Sequence, residues 1–351
     1  MTDVTLSTGF RRITQKDVAK QAGVHRSTVS LVFKNHPSIP ESTKTLVYQA
    51  AKDLGYQPDP MLSALAAYRI SSRPVTFQGT LAWLVNHHGE KFHWENIPIY
   101  QEYFQGARER AANSGYLLEV FDVNLHGMKA GRLASILRAQ NIRGILLCPQ
   151  PHSHAEVEFP WENFSTVTIG YSLSKPQLHV AAATQYRNAV SAVKHLRSYG
   201  YQHIGYVVWP DFDQRSDSNY LAGYLAETFS QNKNLSMSSL VADYDSLEAF
   251  QAWYEKFRPD AIVTADAGIL DKIKLMGLKV PRDLGVACFA LSNIESPLAG
   301  IHENTSHIGA IALDFLIGMI HRGEQGIPEI PQRILIEGTW VHAPSLKKSL
   351  H

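Results

Sequence analysis

"KDVAKQAGVHRSTVSLVF", residues 16–33, admits two readings: one surface helix interrupted by a glycine, or two short helices set at an angle. Thr14 can cap a helix over Gln15–Ala22 by accepting an otherwise free backbone N–H. Val18, Ala19 and Ala22 then form an apolar stripe at helical spacing. Gly23 ends that helix, because glycine adopts the left-handed backbone of a sharp turn without steric cost. Val24 is placed to plug the corner. From about Arg26 the pattern resumes, with Val29, Val32 and Phe33 inward and Arg26, Ser27, Ser30 and Lys34 outward. A third helix fits Ser42–Leu54, with Leu46, Val47, Ala50, Ala51 and Leu54 inward. Three short helices joined by a tight glycine turn match a helix-turn-helix unit, although an arbitrary small bundle shares the same periodicity.

Charge separates the two possibilities. Residues 1–70 carry nine Lys/Arg against five Asp/Glu, while the other 281 carry 24 against 27. A basic head on a slightly acidic body suits a polyanionic partner. A major groove also needs one short helix with small and basic outer residues. No run of 18 apolar residues predicts a membrane span, and the first 20 residues hold no apolar signal core, so no membrane partner is expected. The expected location is cytoplasmic, in association with the nucleoid. Cys148 and Cys288 lie 140 residues apart in apolar segments and read as buried thiols.

"LGYQPDPMLSALAAYR", residues 54–69, places Pro58 and Pro60 before one short apolar helical repeat. A helix this short is marginal alone and needs DNA or a second copy beside it. An apolar residue wedged into a minor groove would serve both needs; an ordinary linker is the alternative reading.

Residues 13–66 resemble the DNA-binding head and hinge of the lac-repressor/galactose-repressor family of bacterial transcription regulators. The matching segments are "DVAKQAGV", "STVSLVF", "ESTKTLVYQAAKDLGYQPD" and "MLSALA". The resemblance implies that the second helix enters the major groove and reads bases through Arg26, Ser27 and Leu31. Arg26 suits a guanine edge, and Ser27 discriminates less. The family usually carries arginine where this chain has Leu31, which alters the expected operator. Thr14, Thr28, Ser30 and Lys34 are candidate phosphate contacts or caps, and Leu65 falls at the minor-groove wedge.

Beyond residue 75, strand-like segments (79–85, 117–123, 144–149, 165–171, 203–209, near 237–242, 260–265, 284–290) alternate with helical stretches, among them Tyr100–Ser114, 130–139, 186–199, 218–231 and 245–257. Such alternation predicts parallel sheets with helices on both faces, in two halves divided near 173–180. A ligand cleft then belongs where loops leave the strand ends. Nothing matches a phosphate loop, a dinucleotide fingerprint or a nucleophile elbow, so neither enzymatic activity nor a cofactor is expected. His87, His88, His93 and Glu95 sit close in sequence, but adjacent strand residues face opposite sides, and no metal site is expected.

"YQEYFQGARERAANSGY", "AVSAVKHLRSYGYQHIGYV", "PDAIVTAD" and "MGLKVPRDLGVACF" resemble the effector-binding core shared with periplasmic sugar-binding proteins. The expected fold class is an all-α helix-turn-helix head plus an α/β two-lobed, periplasmic-binding-protein-like (type I) body with parallel sheets. The expected division is 1–58 for the head, 59–74 for hinge helix and linker, 75–344 for the body and 345–351 for a flexible tail. The resemblance implies a homodimer on a palindromic double-stranded operator. A small-molecule effector, carbohydrate-derived or otherwise, would shift the angle between the lobes. The pocket departs from the family at Tyr220, Ala290, Ala265-Asp266 and Thr184-Gln185, where polar groups for sugar hydroxyls are usual. Trp94, Tyr100, Tyr171, Trp209, Tyr220 and Phe289 remain as rings that could stack on a pyranose, a nucleobase or an aromatic compound, or simply fill the cleft. Asp266 is the candidate hydroxyl acceptor.

Overall fold

Val18, Val29, Val32 and Val47 have no exposed surface, and they come from three different helices. The computed structural model describes residues 13–33, 39–56, 76–86, 93–124, 129–231, 239–240 and 246–347. Lys34, the hinge with Leu65, and His87 and His88 lie outside the described residues. The chain divides into two compact units, Met1–Thr76 with Gly318–Glu324 and Phe77–Ile317 with Gln325–His351.

In the first unit, α1 spans Gln15–Ala22, α2 Arg26–Phe33 and α3 Glu41–Asp53. Gly23 closes α1 in the left-handed region at φ 66°, and the Val24 N–H donates back to the Ala19 carbonyl at 3.0 Å. That turn sends Val24 into the apolar cluster shared by all three helices. Phe33 meets the Tyr48 ring edge-on at 5.8 Å, and the Tyr48 hydroxyl donates to the Val32 carbonyl at 3.1 Å. The expected inward placement of Leu46 is wrong: it is 58 % exposed. Val47, Ala50, Ala51 and Leu54 share one stripe of α3, and Leu46 stands about 100° round the helix from Val47.

The second unit holds two six-stranded sheets. The order in the first is β13 (Arg333–Ile336), β7 (His179–Ala183), β5 (Ser165–Ile169), β3 (Gly144–Leu147), β1 (Gly79–Val85), β2 (Tyr116–Asp122), all parallel. Interior strands such as β3 and β5 are buried along their whole length, whereas edge strand β2 is buried only at Leu118. That is why "GILL" and "STVTI" read as unbroken apolar or β-branched runs. The second sheet runs β14 (Thr339–Val341), β12 (Ala299–His302), β11 (Gly285–Leu291), β10 (Ala261–Thr264), β8 (Ile204–Val207), β9 (Ser239–Leu240), and only β14 is antiparallel to its neighbour. β4 (Ala155–Glu156) and β6 (Leu173–Lys175) pair apart from both.

Helices α4 (Pro98–Asn113) and α5 (Ala130–Ala139) belong to the first lobe. Helices α6 (Gln185–Ser198), α7 (Pro210–Arg215), α8 (Asn219–Gln231), α9 (Leu247–Phe257) and α10 (Ile269–Leu275) belong to the second. The chain crosses between lobes three times: from β7 into α6, from β12 into α11 (Thr305–Arg322), and from β13 into β14. α11 returns to the first lobe against α4. A Cβ on Gly106 would lie 1.8 Å from the Ser306 carbonyl oxygen, and one on Gly309 would lie 2.0 Å from that of Tyr103. The two helix backbones therefore touch, and only glycine fits at either position.

The first crossing falls after Ala183, a few residues later than the sequence division near 173–180. The expected tail also starts too early. Ser345 and Leu346 are buried, and the Ser345 hydroxyl donates to the Val286 carbonyl at 2.7 Å while accepting the Ala299 N–H at 2.8 Å.

Candidate functional site

The outer face of α2 is built by what its inner face buries. With Val29 and Val32 fully enclosed, Arg26 and Ser27 are exposed at the start of the helix, and Thr28, Ser30 and Leu31 are half-buried on its flanks. Thr14 stands at the N-cap of α1. Its backbone N–H (2.9 Å) and its hydroxyl (2.7 Å) both donate to the Asp17 carboxylate. Sequence reasoning passed over His25. Its carbonyl accepts the first backbone N–H groups of α2, from Thr28 and Val29. Its Nδ1 accepts the Ser27 N–H at 3.3 Å and lies 2.8 Å from the Ser27 hydroxyl. An imidazole cap lacks the usual Ser/Thr/Asp signature, so only its position one residue before the helix could have flagged it.

The second site is a cavity of about 410 Å³ at the carboxyl ends of the parallel strands, between the two lobes. Pro149, Gly170 and Tyr171 follow strands β3 and β5, while Trp209 and Ala265 follow β8 and β10. Tyr100, Tyr171, Trp209 and Tyr220 line it. Trp94, Phe289 and Asp266 do not, which corrects their assignment to the pocket. Trp94 packs inside the first lobe between Trp83 (5.8 Å) and Phe104 (5.1 Å). Phe289 has no exposed surface and stacks behind Tyr220 at 4.6 Å. Asp266 turns its carboxylate to the Gly268 N–H at 2.8 Å, shaping the turn into α10.

Two ionisable residues missed from the sequence stand in this cavity. Arg215 ends α7, a helix of only six residues whose one sequence signal is Pro210 at its first position. Its guanidinium donates to the Tyr100 hydroxyl and to the Pro151 carbonyl (3.2 Å), and it lies over the Tyr100 ring at 5.9 Å. Burial pushes the Tyr100 phenol up to about 12, against the lowering field of Arg215. Glu303, in the second crossing, is 4 % exposed and accepts the Tyr220 hydroxyl. Burial pushes its carboxyl up to about 7, with the Tyr220 bond opposing that rise. Nothing in "IHENTSH" marks that glutamate, since its burial depends on a helix 80 residues earlier. Two further carriers of the cavity's shape are Ser172, whose hydroxyl accepts the Gln150 N–H at 2.8 Å, and Gln185, whose side-chain oxygen is buried without a partner.

Both thiols, Cys148 and Cys288, are buried and free, and burial raises each. His93 and Glu95 are exposed, and no group of three metal-type side chains is found among the described residues. No helix among them is long and apolar enough to cross a membrane.

Residues 14–59 match the family model of bacterial regulatory proteins of the lacI family, and residues 193–342 match that of the periplasmic-binding-protein-like domain. The chain is 24 % identical to the ribose operon repressor of Escherichia coli K12 over 322 residues, covering 88 % of this chain and 93 % of that protein. It is 23 % identical to the transcriptional repressor PurR of Actinobacillus pleuropneumoniae over 323 residues, covering 88 % and 91 %. Its fold is similar to a complex of the transcriptional regulator CelR with cellobiose (TM-score 0.57, 20 % identity, 95 % and 100 % covered). It is also similar to the lac repressor dimer bound to operator and an anti-inducer (TM-score 0.52, 19 % identity, 95 % and 99 % covered). With both matches in the order the sequence led one to expect, the chain joins a lacI-family helix-turn-helix head to a periplasmic-binding-protein-like, two-lobed parallel α/β body.

Proposed function

We propose that the protein is a ligand-responsive repressor, acting as a homodimer on a palindromic operator, with Arg26 and Ser27 reading bases. The observation that carries this reading is the presence in one chain of an exposed polar face on α2 and an interlobe cavity of ligand size. Two linked heads gain effective concentration that one head lacks. The similar proteins that are repressors, and the similar structures in complex with cellobiose and with operator DNA, support the reading. Repression is preferred to activation on the same grounds. The polar groups of the cavity form no nucleophile, base and orienting group in sequence, so regulation without enzymatic turnover, in the cytoplasm on the nucleoid, is the accompanying proposal.

Enrichment of the purified protein on randomised duplex DNA at two salt concentrations tests it. A short inverted repeat that survives the higher salt is the expected result. Enrichment without a motif, lost steeply with salt, would leave backbone electrostatics alone and overturn the reading. On the selected site Leu65→Ala should weaken specific binding far more than non-specific binding.

A further inference from the structure

We propose that the effector admitted by the interlobe cavity is a small aromatic carboxylate, its ring stacked among the cavity aromatics and its anionic group on Arg215. This rests on the reading of the cavity as an effector site.

Aromatic faces dominate the walls. Trp209 and Phe212 pack at 4.9 Å, Phe212 stacks on Tyr220 at 5.3 Å, and Tyr100 and Tyr171 face in from the other lobe. Between these rings the surface is Pro149, Ala265 and Ala290, which offer no side-chain hydrogen bond. Three of the seven hydroxyls that line the cavity are committed as donors. That of Tyr220 donates to Glu303, that of Ser216 to the Asp213 carbonyl (2.8 Å), and that of Tyr100 to the Gln150 carbonyl (3.3 Å). A polyhydroxylated ring would have to give up its water against walls made largely of rings and aliphatic groups, and each unmatched hydroxyl weakens binding. A flat aromatic body loses nothing there and gains ring contacts.

Arg215 supplies the polar end. Among the described residues it is the one Lys or Arg that lines the cavity. Its nearest carboxylate oxygen, on Asp211, is 3.8 Å away, beyond hydrogen-bond reach. Of its five N–H donors, one on Nη1 goes to Pro151 and one on Nη2 to Tyr100, and the remainder have no hydrogen-bond acceptor among the described residues. A guanidinium held by its flanks with donors unfilled fits the two oxygens of a carboxylate. The lining carboxyl, Glu303, is held towards its neutral form by burial and so opposes an anion less than an exposed carboxylate would. The unpartnered oxygen of Gln185 leaves an acceptor for one ring hydroxyl or amine.

The test is calorimetric titration of the full chain with benzoate, 4-hydroxybenzoate and 3-phenylpropionate. Each is paired with its carboxamide, and glucose, ribose and cellobiose serve as comparisons. At least one acid should bind tenfold or more tightly than its amide. Arg215→Gln should bring that ratio close to one, and Arg215→Lys should retain most of it, which separates loss of charge from loss of fold. An acid and amide bound equally, or a sugar bound in preference, would overturn the proposal. If the bound sugar shifts affinity for the selected operator, effector-responsive regulation stands and only the ligand class is wrong. If none of the panel binds, the class is also wrong. Operator selection then decides the regulatory reading independently.

Discussion

The Nδ1 atom of His25 accepts the backbone N–H of Ser27 at 3.3 Å and stands 2.8 Å from its hydroxyl. With the ring proton on Nε2, Nδ1 accepts from Ser27, whose hydroxyl proton then turns back towards it. Ser27 then faces outward with lone pairs alone, which suit the amino groups of adenine and cytosine. His25→Ala should release that proton and cost about 1 kcal/mol of stability through the lost cap. In sequenced selections, the preference at the base pair facing Ser27 should broaden while the rest of the site is kept. An unchanged preference would show that His25 does not set the polarity of Ser27.

Arg26 occupies the first turn of α2 with its side chain exposed. Arg26→Ala should cost about 1–3 kcal/mol on the selected operator and relax preference at one base position. Ser30→Ala should instead weaken all sequences alike. Binding isotherms on selected and random duplexes distinguish these outcomes, and equal losses for Arg26→Ala on both would remove it from base reading.

Glu303 gives the body a pH dependence with a definite sign. Its folded pKa, raised from 4.5 to about 7, means that the folded protein binds more protons than the unfolded chain between those values. Its contribution is therefore fully present below pH 4.5 and declines as pH rises to about 7, by about 3 kcal/mol at most. Glu102, which accepts the Thr305 hydroxyl and is also pushed up to about 7 by burial, adds in the same direction but is only half-buried. Glu303→Gln should flatten most of the fall in thermal midpoint across this window. A slope unchanged from the parent would place the titration elsewhere.

Gly106 and Gly309 allow α4 and α11 to touch backbone to backbone. Gly106→Ala should push the helices apart and destabilise the body by about 3 kcal/mol or more. Gly131→Ala, where an added Cβ meets nothing within 4 Å, should be neutral or slightly stabilising because it lies inside α5. Denaturant titrations of the two variants provide the comparison.

The head was the most legible part, because its core is local. Gly23, Val24 and the valine stripes lie within 40 residues and obey helical spacing, and Leu46 failed only because it flanks the stripe. In the body the long parallel strands were legible as continuous apolar runs. The strands β7, β12, β13 and β14 were not, since "HVAAA", "AGIH", "RILI" and "TWV" are short and owe their pairing to segments far along the chain. The cavity divides in the same way. Rings at strand ends, such as Tyr171 and Trp209, could be anticipated. Trp94 and Phe289 are the same residue types in ordinary core positions. Arg215 and Glu303 depend on a six-residue helix and a crossing strand that no periodicity announces.

The three crossings between lobes set an order of events on the ribosome. The three helices of the head are complete once residue 53 has been made. Each sheet of the body acquires an edge strand only with residues 333–341, and Ser345 ties β11 to β12 later still. A nascent chain thus carries a finished DNA-binding head well before it has a body able to report on a ligand. A chain ending short of residue 333 would lack an edge strand in both lobes at once, so premature termination removes sensing as a unit rather than one lobe at a time.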